Sequence, residues 1–107
     1  MRMTFDRDTG TGYIRISSTL EAIADSWPLD RHVDGIGVVV DLDGRRRVLG
    51  VELLGIPGRG PEDLVAAIAS GAIAKACAAE GFQVPALACN PGITVQPSDR
   101  PVLLGAA

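Results

Sequence analysis

The chain has 107 residues, 47% of them hydrophobic. That length fits one domain able to bury about two-thirds of its unfolded surface, and the composition excludes a disordered tail. Ten basic against thirteen acidic side chains leave a net charge of −3, so no global field exists to hold a nucleic acid or an anionic membrane. One His and two Cys cannot fill a four-ligand zinc site or build a disulfide framework. No metal or cofactor is therefore expected.

The first residues, Met1-Arg2-Met3-Thr4-Phe5-Asp6-Arg7-Asp8, are charged and lack the apolar run of a signal peptide. The least polar stretch, Leu64 to Ala79, contains Lys75 and is shorter than the ~20 apolar residues of a membrane span. A soluble, cytoplasmic protein is the expectation, with Cys77 and Cys89 reduced.

The first half reads as short strands. Met3 and Phe5 alternate with polar neighbours, Asp8-Thr9-Gly10-Thr11-Gly12 supplies turn chemistry, and Tyr13-Ile14-Arg15-Ile16-Ser17 follows, which predicts a hairpin. Ile36 to Leu42 runs into Asp43-Gly44 and returns over Val48 to Leu54, a second hairpin whose loop Arg45 and Arg46 lengthen. Between them, Ser18-Thr19-Leu20-Glu21 could cap a short helix ended by Trp27-Pro28. An edge strand over Leu20 to Asp25 fits the neighbouring strands better, since a meander needs no crossover.

The grammar changes after Leu54. Pro61-Glu62-Asp63 places proline at a first helical position with two carboxylates in the first turn, and Gly81 is a stop signal. One helix over 61–80 is predicted, bulky in its first two turns and small beyond. Prolines 85, 91, 97 and 101 then forbid a helix and predict an extended arm over 82–107, with short pieces such as Ile93-Thr94-Val95. The fold class is α+β: a four- or five-stranded antiparallel meander, the helix on one face, and the arm crossing an edge or a second subunit.

Alternation sorts the strand residues onto two faces. Met3, Phe5, Ile14, Ile16, Leu49, Val51 and Leu53 fall on the apolar one; Arg2, Thr4, Tyr13, Arg15, Ser17, Asp41 and Glu52 fall on the other. Tyr13, Arg15, Asp41 and Glu52 are the candidate binding set, against the plainer reading of a wet face with weak ion pairs. If the protein is an enzyme, His32, Asp41 and Glu52 are the candidate proton-transfer groups, with Asp34 placed in sequence to orient His32.

Other motifs fail on particular residues. Gly55 to Gly60 has P-loop glycine spacing, but Pro61 and Glu62 stand where lysine and a hydroxyl are required. Asp41, Asp43 and Glu52 match calcium-loop positions, yet Arg46 replaces the obligatory glycine. Arg45-Arg46-Arg47 has no interleaved aromatic residue and reads as a solvated hairpin tip. Neither cysteine has a His or helix N-terminus beside it to make a thiolate.

The ordered segments Tyr13-Ile14-Arg15-Ile16, Asp34-Gly35-Ile36, Val40-Asp41-Leu42-Asp43-Gly44 and Leu49-Gly50-Val51-Glu52-Leu53-Leu54 resemble a bacterial domain-of-unknown-function family, the one numbered twenty-two eighty-three. The resemblance covers about residues 1–56. It implies an antiparallel sheet module and, because some members accompany toxin-like proteins, an antitoxin or other binding role. Arg45-Arg46-Arg47-Val48 departs from the shorter hairpins of the family, and everything after residue 56 lies outside it.

Two functions are consistent with these readings. One is a non-catalytic binding or self-association module, as a homo-oligomer or with a protein partner. The other is a small enzyme or binder of an apolar or anionic small molecule held between the sheet and the C-terminal arm.

Overall fold

The computed structural model describes residues 2–16, 22–55, 60–84 and 94–97. In chain order they form β1 (Arg2–Asp6), β2 (Thr11–Arg15), β3 (Asp25–Pro28), β4 (Gly37–Leu42), β5 (Val48–Leu54), α1 (Pro61–Ala69), α2 (Ala72–Ala79) and β6 (Thr94–Pro97). This is the expected α+β class, built on five antiparallel strands, with β6 added parallel to β1. The strand order is β3-β4-β5-β2-β1-β6, which corrects the simple meander. The hairpin β1–β2 joins the sheet by pairing β2 with β5, Tyr13 opposite Glu52 and Ile14 opposite Val51. β2 and β3, consecutive in the chain, therefore lie on opposite sides of the β4–β5 pair.

The edge strand begins at Asp25, not Leu20, and runs through the Trp27-Pro28 pair read as a helix stop; residues 17–21 lie outside the described set. The tight two-residue turn is Asp34-Gly35, with φ of 53° and 80° and reciprocal bonds between Val33 and Ile36 of 2.9 and 2.8 Å. Positive φ at both central residues is what a type I′ turn demands, and glycine supplies it without strain. Asp43-Gly44 instead opens a longer loop, as Arg45 and Arg46 imply. There the Asp43 carboxylate, 3% exposed, accepts from Arg45 N, Arg47 N and Arg47 Nε at 2.8, 2.8 and 2.7 Å. Arg46 takes φ 64°, a conformation that a side chain makes costly.

The core lies between the sheet and the two helices. Met3, Phe5, Ile14, Val38, Val40, Leu42, Val51 and Leu53 from the strands meet Leu64, Ile68, Ile73 and Cys77 from the helices in one buried cluster. Ile16 packs at its margin. Leu49 is buried but stands apart from this cluster. The register slips between Asp41 and Leu42, so that Leu42 pairs with Val48. Leu49 is thus the extra residue of a β-bulge, and Val48 turns toward the core in its place.

The single helix over 61–80 is in fact two. Pro61, Glu62 and Asp63 open α1 as expected, with Asp63 Oδ2 accepting from Gly60 N at 3.3 Å. Gly71 then adopts φ 81° and its N–H bonds back to Ile68 O at 3.0 Å, ending α1. The Ser70 hydroxyl donates to Ala67 O at 2.8 Å and accepts from Ala72 N at 3.2 Å, relaying between the two helices. The second stop comes where expected: Gly81 N bonds Ala78 O and Phe82 N bonds Cys77 O, a Schellman closure.

Open space surrounds the positions a methyl would occupy at Gly71 and at Gly44, but only Gly71 has positive φ. Gly71→Ala is expected to lower stability by ~1–2 kcal/mol in urea unfolding. Gly44→Ala is expected to change it by less than about 0.5 kcal/mol. Equal effects would contradict the backbone account of the helix break.

Candidate functional site

Both helices pack on the apolar face, so the polar set lies on the other. Register places it in two rows across the strands. In one, Pro28, Val39, Glu52, Tyr13 and Thr4 follow one another from β3 to β1; in the next, Ser26, Asp41, Gly50 and Arg15 do so from β3 to β2. Tyr13, Arg15, Asp41 and Glu52 therefore share one face as the alternation requires, while Ile14 and Val51 are fully buried on the other. Ser17 lies outside the described residues.

Gly50 is the centre of the second row. A methyl there would overlap the Tyr13 hydroxyl and approach within 2.8 Å of Ile14 O, so the missing side chain is the space that the phenol fills. The ring crosses the row toward Asp41. Asp41 is 7% exposed and its Oδ1 accepts from Ser26 Oγ at 2.7 Å. The Tyr13 hydroxyl is buried and has no hydrogen-bond partner among the described residues, although Asp41 and Arg15 both stand close enough to act on its charge. Burial raises the phenol above its ordinary value near 10; the Asp41 carboxylate raises it further and Arg15 opposes. A phenol held neutral beside a carboxylate is a wedge with a weakly used donor, and at neutral pH it is no base.

Of the proton-transfer candidates, Asp41 and Glu52 share the outer face in adjacent rows, and His32 lies far along β4 from Asp41. His32 is exposed and its Nε2 lies 3.8 Å from where a side chain at Gly37 would begin. Gly37 pairs with Leu54, one same-face position beyond Glu52. Asp41 is a further stretch along β4, roughly 13 Å from Gly37 at ~3.3 Å per residue. His32 instead borders an open cleft of about 630 Å³ between residues 30–33 and α2, whose other wall is Ala72, Ala76 and Ala79.

The far end of that cleft holds a contact the sequence did not announce. Glu80, at the end of α2, accepts from Trp27 Nε1 at 3.1 Å and from Asp30 N at 3.0 Å. Trp27 also stacks obliquely on Phe82, ring centres 6.0 Å apart. A carboxylate 53 positions from its tryptophan leaves no local pattern, and only a helix already known to end at Gly81 could have suggested it. Burial, with Glu80 adding to it, pushes the Cys77 thiol up to about 11, so this cysteine is packing and not a nucleophile. Cys89 is outside the described residues.

The open side of β3 is poor in hydrogen-bond donors. Leu29 N bonds Val38 O, and alternation along an antiparallel ladder then turns the backbone of Ser26 and Pro28 away from β4. Proline has no N–H to offer, and Ser26 N donates to Asp25 Oδ1 at 2.9 Å. No free donor remains there for an added strand.

Among the described residues no group of three or more His, Cys, Asp or Glu could hold a metal ion, and no helix is long and apolar enough to cross a membrane. No protein-family profile, curated protein or solved structure matches the chain.

Tyr13 is the only tyrosine, so its ionisation can be followed by ultraviolet absorbance. A raised folded value means that the stability carried by the protonated phenol is fully present below about pH 10 and is lost as pH rises through the folded value. Asp41→Asn is expected to move the midpoint down toward 10. A midpoint unmoved by that change would show that Asp41 does not face the phenol.

Proposed function

We propose that the protein is a non-catalytic binding module that self-associates, or takes a protein partner, through the sheet face opposite its helices. The observation carrying this reading is the composition of that face. Val39, Pro28 and the Tyr13 ring share this face with Leu54, which is 43% exposed, and both described helices are on the other side. A sheet needs a second layer wherever it presents apolar side chains.

The chemistry of the set points the same way. Asp41 is engaged by Ser26, Tyr13 is held neutral at ordinary pH, and His32 stands apart from Asp41. Light scattering across the micromolar range tests it: an oligomer is expected for the wild type, and Val39→Lys, which puts a cation at the half-buried centre of the face, is expected to give a folded monomer. A wild type monomeric throughout, with no partner footprint on this face in hydrogen exchange, would overturn it.

The cleft beside His32 favours a second reading, a binder of small molecules. Its volume lies within the ~300–1,000 Å³ usual for ligand sites, and alanines form its wall. The pocket envisaged between sheet and arm involves residues 85–93, outside the described set. Native mass spectrometry of the purified protein separates the readings: a retained small molecule supports the second, and a bare chain mass removes it.

A further inference from the structure

We propose that the β4–β5 hairpin tip is a docking surface for an acidic polypeptide segment, read by Arg45 and Arg46. This goes beyond the sheet-face reading, since it uses a different surface and holds whether or not that face self-associates.

Three observations carry it. The tip is rigid: the buried Asp43 carboxylate fixes Arg45 N and Arg47 N and pairs with the Arg47 guanidinium at 2.7 Å, while Asp43 N and Arg47 O close the loop at 2.9 Å. That pairing neutralises Arg47 against Asp43. Arg45 and Arg46 are left exposed, with no ion pair or hydrogen bond from either side chain among the described residues, on a protein whose net charge is −3. The tip is thus a local cation pair on an acidic body.

The third observation is conformational. Arg46 holds φ 64°, where glycine or asparagine would sit without strain. The loop needs that backbone shape but not that side chain. A guanidinium kept at a position that penalises it is explained if the guanidinium is used.

The partner follows from charge and shape. Beside the tip lies a depression of about 390 Å³ lined by Ala22, Asp43, Gly44, Arg45 and Arg47, roomy enough for a carboxylate side chain. Guanidinium forks pair bidentately with carboxylates. A nucleic acid would meet the repulsion of the acidic body over a longer footprint and would find no aromatic residue at the tip to stack on. A short acidic segment meets neither obstacle.

The test uses the whole chain and a labelled hexaglutamate peptide, with binding read by fluorescence anisotropy at low and physiological salt. Salt-sensitive binding is expected for the wild type, weakened about two- to fivefold by Arg45→Ala and again by Arg46→Gly. Arg46→Gly is also expected to raise Tm by ~2–5 °C as the backbone strain is relieved, so that stability and binding move in opposite directions. A purely structural arginine would weaken both or neither. The proposal is overturned if the peptide does not bind at low salt, if the Arg45→Ala/Arg46→Gly double variant binds it as the wild type does, or if a DNA duplex or inorganic phosphate binds the tip more tightly. Light scattering on the double variant keeps the two readings apart, because its oligomeric state is expected to match the wild type.

Discussion

The register between β2 and β5 is the constraint on which the remaining structure depends. It is the one pairing that joins the β1–β2 hairpin to the three strands β3, β4 and β5, and it sets the face of every side chain near the centre. With Ile14 opposite Val51, both point into the core; with Tyr13 opposite Glu52, both point away from it. A slip of one residue would exchange the two sets entirely. Gly50 secures the register from the outer side, because the phenol two residues along the partner strand lies in the space that its absent side chain leaves open. An aromatic ring laid over a strand glycine is a known way of pinning register.

Much of the acidic surplus is used inside the fold. Asp41 takes the Ser26 hydroxyl, Asp43 organises the hairpin tip, Asp25 takes Ser26 N at the sheet edge, Asp63 caps α1 and Glu80 ties α2 to the edge strand. Each carboxylate accepts from a donor that would otherwise lack a partner at a turn, an edge or a helix end. These residues look like candidate chemistry when read as a composition. In the structure they are joints, and the proposed recognition surfaces use side chains the joints do not need: two arginines at a tip and a mixed apolar row across a sheet face.

The strands, their two faces, the start of the first helix and the final helix stop were legible because each depends on neighbours in sequence. Alternation placed Tyr13, Arg15, Asp41 and Glu52 together without knowledge of the topology. Three features were not legible, for separate reasons. The order of the strands depends on where the β2–β3 connection travels, which no local pattern encodes. The bulge at Leu49 moves one residue out of an alternation that otherwise reads cleanly, and only the opposing strand reveals it. The helix break at Ser70-Gly71 was written in the sequence but masked by good helix formers on both sides, and an isolated glycine in such a run is usually tolerated.

The most direct test of the central claim is a double-mutant cycle between Gly50→Ala and Tyr13→Ala in urea unfolding. If the phenol occupies the space over the glycine, the methyl at 50 meets the ring as well as Ile14 O, and removing the ring relieves the larger overlap. A coupling of at least ~1 kcal/mol is then expected, with Gly50→Ala most costly in the wild type and less so beside Tyr13→Ala, where the approach to Ile14 O remains. Equal costs in both backgrounds would mean that the ring does not lie over Gly50, and the account of how the two parts of the sheet are held in register would fail with it.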